Sequence, residues 1–218
     1  MDSRNLRIAL CGTLALAATA CAPPTPQVVT APQIRVPAAQ PKAASPTTST
    51  STTVTEADLT DTPFGPLSPA AKKLLTIVQQ TSLREITTST WAQQRSSNPA
   101  VQEAARVIIT QHKDLEARDT DISSRMDLPI PDKPSADMQA GIDRMRNEVG
   151  DTFDRDYVNT LRQAHAQALI LVSTVRADTR NTLVRPFADL AGDYIKTHIN
   201  LLEKTGDVDY TQLPIPGV

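Results

Sequence analysis

The stretch NPAVQEAARVIITQHKDLEARDTDISSRM, residues 98–126, decides the fold. Asn98 followed by Pro99 reads as a helix start: the Asn caps free amides, and Pro sits where no intrahelical hydrogen bond is lost. From there Val101, Ala105, Ile108, His112 and Leu115 recur at spacings of three and four, giving one apolar face with a histidine at its centre. Pro129, Pro131 and Pro134 end the pattern. The same start signal, Ser68-Pro69, opens an earlier helix over residues 69–95. Its middle, residues 81–90, is rich in Thr and Ser, has poor intrinsic propensity and must be held by packing. Downstream the pattern predicts a short helix over 135–149, stopped by Gly150 as its C′ residue. Asp151 and Asp154 open a third long helix to about Ala177. A fourth starts near 181–185, with Pro186 tolerable in its first turn, and Gly206 closes it. No run of period-two alternation occurs. The expectation is an all-α domain over 69–206: a four-helix bundle with an extra short helix between the second and third long helices, then an irregular tail over 207–218.

Ahead of the bundle the composition changes. Arg4 and Arg7 precede an uninterrupted apolar run over residues 8–20, too short to span a bilayer and suited to a secretory leader over 1–20. The run ends Ala18-Thr19-Ala20-Cys21, and two readings compete. Ala18-x-Ala20 suits ordinary leader cleavage, leaving Cys21 a free thiol. Small residues followed by Cys also form a bacterial lipobox, which makes Cys21 the lipidated first residue of the mature chain. A lone thiol with no partner favours lipidation, although Ala18 stands where Leu is more usual. Residues 21–68 then form a Pro/Thr-rich linker containing Pro23, Pro24, Pro26, Pro32, Pro37, Pro41 and Pro46. Such a segment buries too little apolar surface to offset its ordering entropy and is expected to be a disordered tether. It would reach roughly 35–40 Å as a coil and up to about 145 Å as polyproline. The expected location is outside the cytoplasm: on the outer face of the cytoplasmic membrane or in the periplasm or cell envelope, with the membrane as a partner through the lipid. A net charge of −2 argues against a nucleic-acid partner, and both Cys lie within the first 21 residues, so the bundle has neither disulfide nor thiolate metal site.

The chain has three histidines, each on a different long helix. His112 sits on the stripe described above. His165 lies among Val158, Leu161, Ala168, Leu169 and Val172, and His198 among Phe187, Ala191, Tyr194, Leu201 and Leu202. All three are expected to point inward. The first helix offers Glu85, on the face of Leu74 and Val78. From the turn near Ser97, Glu85 and His112 stand roughly 18–22 Å along their helices; from the turn near Thr179, His165 and His198 stand roughly 21–29 Å along theirs. In an antiparallel bundle the four converge near mid-height.

Asn98-Pro99-Ala100-Val101 through His112-Lys113-Asp114-Leu115, Phe153-Asp154-Arg155-Asp156-Tyr157-Val158 with His165, and His198-Ile199-Asn200-Leu201 together resemble the bacterial ferritin-like domain-of-unknown-function family 4142. The resemblance covers residues 74–204 and implies a ferritin-like bundle in a secreted or envelope-associated protein. It supplies no activity. The family pattern often has Asp just before the second- and third-helix His, where this chain has Gln111 and Ala164.

A ferritin-like fold invites a di-iron site, which takes Glu-x-x-His on two helices. Ile109, Arg162 and Ile195 stand three residues before the three His, so that motif is absent. One mononuclear site remains, with Glu85, His112, His165 and His198 as ligands for zinc, copper or iron. Otherwise each His is a buried polar residue satisfied by a neighbour such as Tyr194, Asp154 or Glu85, or the cluster is a pH sensor. No phosphate-binding loop, His-Glu-x-x-His or nucleophile motif is present. Two functions follow as expectations. The first is a non-catalytic, envelope- or stress-related interaction module whose protein partner the sequence does not name. The alternative is a transition-metal-binding domain for sequestration or redox protection.

Overall fold

The computed structural model describes residues 56–213. The expected leader, Cys21, the expected linker up to residue 55 and the last five residues lie outside the described residues.

Four long helices and one short one form as the pattern requires: α1 (Pro69–Arg95), α2 (Pro99–Arg125), α3 (Ala136–Met145), α4 (Gly150–Asp178) and α5 (Val184–Glu203). Ser68 Oγ accepts from the Ala71 amide and Asn98 Oδ1 from the Ala100 amide, so both predicted caps work. Asn181 Oδ1 accepts from the amides of Leu183 and Val184 and starts α5. Gly150 departs from expectation. The short helix stops at Met145, and Gly150, at φ +60°, turns the chain into α4.

Ties at the helix ends fix the topology. Ser96, after α1, donates to Asp154 near the start of α4, and Asn98 reaches the Thr205 carbonyl beyond α5. At the opposite end Asn181 reaches Thr62 Oγ1 and the Gly65 carbonyl, ahead of α1. The chain therefore runs up α1, down α2, back up through residues 126–149, down α4 and up α5. This is the single-crossover order of a ferritin-like bundle. α1 packs on α2 and α4, α5 packs on the same two, and α3 lies against α1 and α4.

Each long helix is apolar at both ends and polar in its buried middle, so the core separates into two clusters. The lower one gathers Leu74, Val78, Leu115, Val172, Phe187 and Ile195; the upper one Ala92, Ile108, Phe153, Tyr157, Leu161 and Leu202. Between them lies a belt of buried polar groups: Ser82, Arg84, Glu85, His112, His165 and His198.

Residues 56–68, read from sequence as the end of the linker, are part of the fold. A 3-10 turn at Glu56–Asp58 leads into an isolated antiparallel bridge, Thr60 with Leu67, and Leu67 is fully buried. Gly65, at φ +98°, makes this possible, since a Cβ there would meet the Arg180 carbonyl oxygen at 2.9 Å. The Thr182 amide donates to the Phe64 carbonyl, 2.8 Å away. The tail after Gly206 is also partly built: Tyr210–Gln212 forms a 3-10 turn, and Asn159 on α4 binds the Asp207 carbonyl and the Asp209 amide.

Candidate functional site

Glu85 from α1, His112 from α2, His165 from α4 and His198 from α5 meet in the polar belt, each offering a ligand atom within 4.8 Å of the others. All four are buried, and Glu85 is fully so. His112 Nε2 lies 3.0 Å from Glu85 Oε2, and His165 Nε2 lies 3.6 Å from the same oxygen.

Surrounding hydrogen bonds fix where the imidazole protons sit. The Ser82 hydroxyl donates to the Val78 carbonyl, so its oxygen is left to accept from His112 Nδ1 at 3.1 Å. His165 Nδ1 donates to the Leu161 carbonyl at 2.7 Å. That leaves His165 Nε2 to accept from His198 Nδ1, 2.8 Å away. His165 Nε2 thus spends its lone pair on His198, and His112 Nε2 is left facing Glu85 Oε2. His198 Nε2 is buried without a hydrogen-bond partner, and Glu85 Oε2 and His112 Nε2 have only each other. A single cation between these two atoms, a proton or a metal ion, satisfies both.

Positive charge and hydrogen bonding around Glu85 keep it ionised. Burial opposes ionisation of Glu85, but His165, His112 and the adjacent Arg84 outweigh it and hold the carboxyl well below the usual carboxylate range. Arg84 Nη2 donates to Glu85 Oε1 at 2.9 Å. Burial pushes the His165 imidazole down, and it pushes His198, beside two other imidazoles, down to about 2. Burial thus disfavours the charged form of both His165 and His198.

The neighbours that sequence offered to satisfy the histidines go elsewhere. The Tyr194 hydroxyl donates to Asp114, and Asp154 accepts from Ser96. Glu85 alone of the three stands beside the rings. Sequence reading missed Ser82 and Arg84, although the signal was there: the Thr- and Ser-rich stretch of low propensity is where α1 turns polar side chains inward. At the positions where the family pattern often has Asp, Gln111 Oε1 is buried with no partner. Ala164 lines a cavity.

That cavity, of about 260 Å³, reaches the cluster and is lined by all four of its residues. Its walls are otherwise mostly apolar, with Leu74, Ile77, Leu171 and Val172 among them. Half-buried Ile77 and Thr81 on α1 face Ala164 and Ala168 on α4, and these small residues leave the seam between the two helices open. The four donors fit a metal ion: three imidazoles and one carboxylate, with His198 Nε2 unpartnered, an approach from one side, and a His165 Nε2 lone pair that His198 would give up to the ion.

No curated protein sequence and no solved structure matches the chain. A family model described as "Domain of unknown function (DUF4142)" matches residues 56–204, the ordered segment before α1 included. With the bundle, the crossover and this match in agreement, the chain belongs to the DUF4142 family.

Proposed function

We propose that this is an exported, membrane-anchored bundle that holds one transition-metal ion on Glu85, His112, His165 and His198. The contact between Glu85 Oε2 and His112 Nε2 carries the reading. Both atoms are buried and have only each other, at 3.0 Å, so the pair takes one shared cation, and a metal ion in place of a proton brings in His165 and His198 as well. The 3.0 and 3.6 Å separations bracket the edge of about 3.4 Å expected of a tetrahedral site with metal–ligand bonds of about 2.1 Å. Three imidazoles and a carboxylate suit zinc, iron or divalent copper. Such an ion supplies Lewis acidity, or one-electron chemistry if it is iron or copper. The chain's own part is to hold Glu85 ionised through Arg84, to orient His112 and His165 through Ser82 and the Leu161 carbonyl, and to limit water with apolar walls.

Export and anchoring rest on the apolar run of residues 8–20 and on Cys21. A Cys21→Ser variant is expected to leave the membrane fraction, and a parent chain found in the soluble fraction overturns the anchor.

The metal is tested by plasma mass spectrometry on the full chain, purified without chelator or affinity His-tag. About one equivalent of a single transition metal is expected in the parent, and less than about a tenth of that in His165→Ala. A parent that stays empty after reconstitution with zinc, iron and copper overturns the reading. That result returns the chain to the class of non-catalytic envelope modules, in which the histidines only fix helix register.

A further inference from the structure

We infer that the cavity beside the cluster is a binding site for a small organic monocarboxylate with an apolar body, its carboxylate at Arg84 and the metal position and its body between α1 and α4. The inference rests on the metal reading for part of the positive charge at the cavity floor.

Three observations converge on that chemistry. Arg84 lines the cavity with only 6 % of its surface exposed, and its Nε has no hydrogen-bond partner. A buried guanidinium N–H left unpaired is costly, and a carboxylate oxygen satisfies it best. Second, the charge is complementary. Glu85 is the sole acid among the lining residues, and Arg84 already holds its Oε1. Lys73, exposed at the rim, adds a positive charge at the mouth, and a divalent ion on the four ligands leaves the floor net positive. Third, the shape suits a slender chain. The lining on α1 runs from Lys73 to Glu85, roughly 18 Å of helix, past Leu74, Ile77 and Val78. A cavity of about 150 Å³ holds one benzene, so 260 Å³ accommodates about ten non-hydrogen atoms. Octanoate has that size, and it is the probe of choice.

The experiment is calorimetric titration of the full chain, its zinc content measured first, with octanoate, octan-1-ol and octylammonium. Octanoate is expected to bind the zinc-loaded chain with a Kd below about 1 mM, about tenfold or more tighter than octanol, while octylammonium does not bind. Ala168→Phe fills the cavity one turn along α4 from His165 without replacing a ligand. It should keep its zinc and its melting temperature yet lose octanoate. A zinc-loaded parent that ignores octanoate overturns the cavity and leaves the metal centre standing. Equal affinity for octylammonium, or unchanged binding in Ala168→Phe, also overturns it. A chain that holds no zinc sinks the metal reading. In that case octanoate binding abolished by Ala168→Phe upholds the cavity on Arg84 alone, and no binding sinks both.

Discussion

Ser82 is one hydroxyl, yet it sets the state of His112. It donates to the Val78 carbonyl and so can offer His112 Nδ1 only lone pairs, which holds the ring with Nε2 toward Glu85. Partners of this kind govern metal affinity more than stability. Ser82→Ala is expected to weaken zinc binding about 10- to 100-fold in a chelator competition, with the helical circular dichroism unchanged. Zinc affinity equal to the parent's would show that Ser82 does not orient the ring. Sequence spacing brought out the three histidines and Glu85 because each sits on a periodic apolar stripe, and a polar residue there is conspicuous. Ser82 and Arg84 were not legible. Ser is common in any helix of mediocre propensity, and an Arg next to a Glu normally points away from it, about 100° around the helix. Burying the two together depends on the cavity between α1 and α4, which no local pattern encodes.

At the scale of the element, start signals were the most readable part of the chain. Ser68-Pro69 and Asn98-Pro99 begin α1 and α2 as expected, because a cap and a proline act within a few residues. Gly150 was misread because a left-handed glycine serves a helix end and a helix entry equally well. Asn98 does more than cap. Its Oδ1 accepts from Ala100, and its Nδ2 donates to the Thr205 carbonyl, tying the start of α2 to the end of α5. Asn98→Ala should therefore cost about 2 kcal/mol in urea unfolding, above the ~1 kcal/mol of a cap alone. A cost equal to that of Ser68→Ala, whose side chain makes only the cap, would show that the tie to α5 contributes nothing. The segment over 60–67 escaped sequence reading because two bridged residues and one glycine leave no periodicity to detect.

For the whole molecule, a second buried acid shapes the pH dependence. Asp119 on α2 is almost wholly buried, and burial raises its carboxyl to about 7 against the single opposing bond from Ser123. Facing it across a small cavity are Gln79, whose Oε1 has no partner, and Lys72, whose ammonium goes to Thr60 instead. Between the unfolded value near 4 and about 7, the folded chain keeps a proton that the unfolded chain has lost. This group's share of the stability is therefore intact below about pH 4 and declines as pH rises through 7. Asp119→Asn removes the decline and gives Gln79 a donor. Its stability advantage over the parent should grow by about 2–3 kcal/mol from pH 5 to pH 8. An advantage that does not change with pH overturns this account. The stitching of residues 60–67 onto the α4–α5 turn has a mechanical consequence. Tension on the chain ahead of residue 56 meets the Thr60–Leu67 bridge and the bonds from Asn181 and Thr182 before it reaches Ser68. The load passes first to the joint between the last two helices, so a pull that would otherwise peel the first helix from its end is carried by the far half of the bundle.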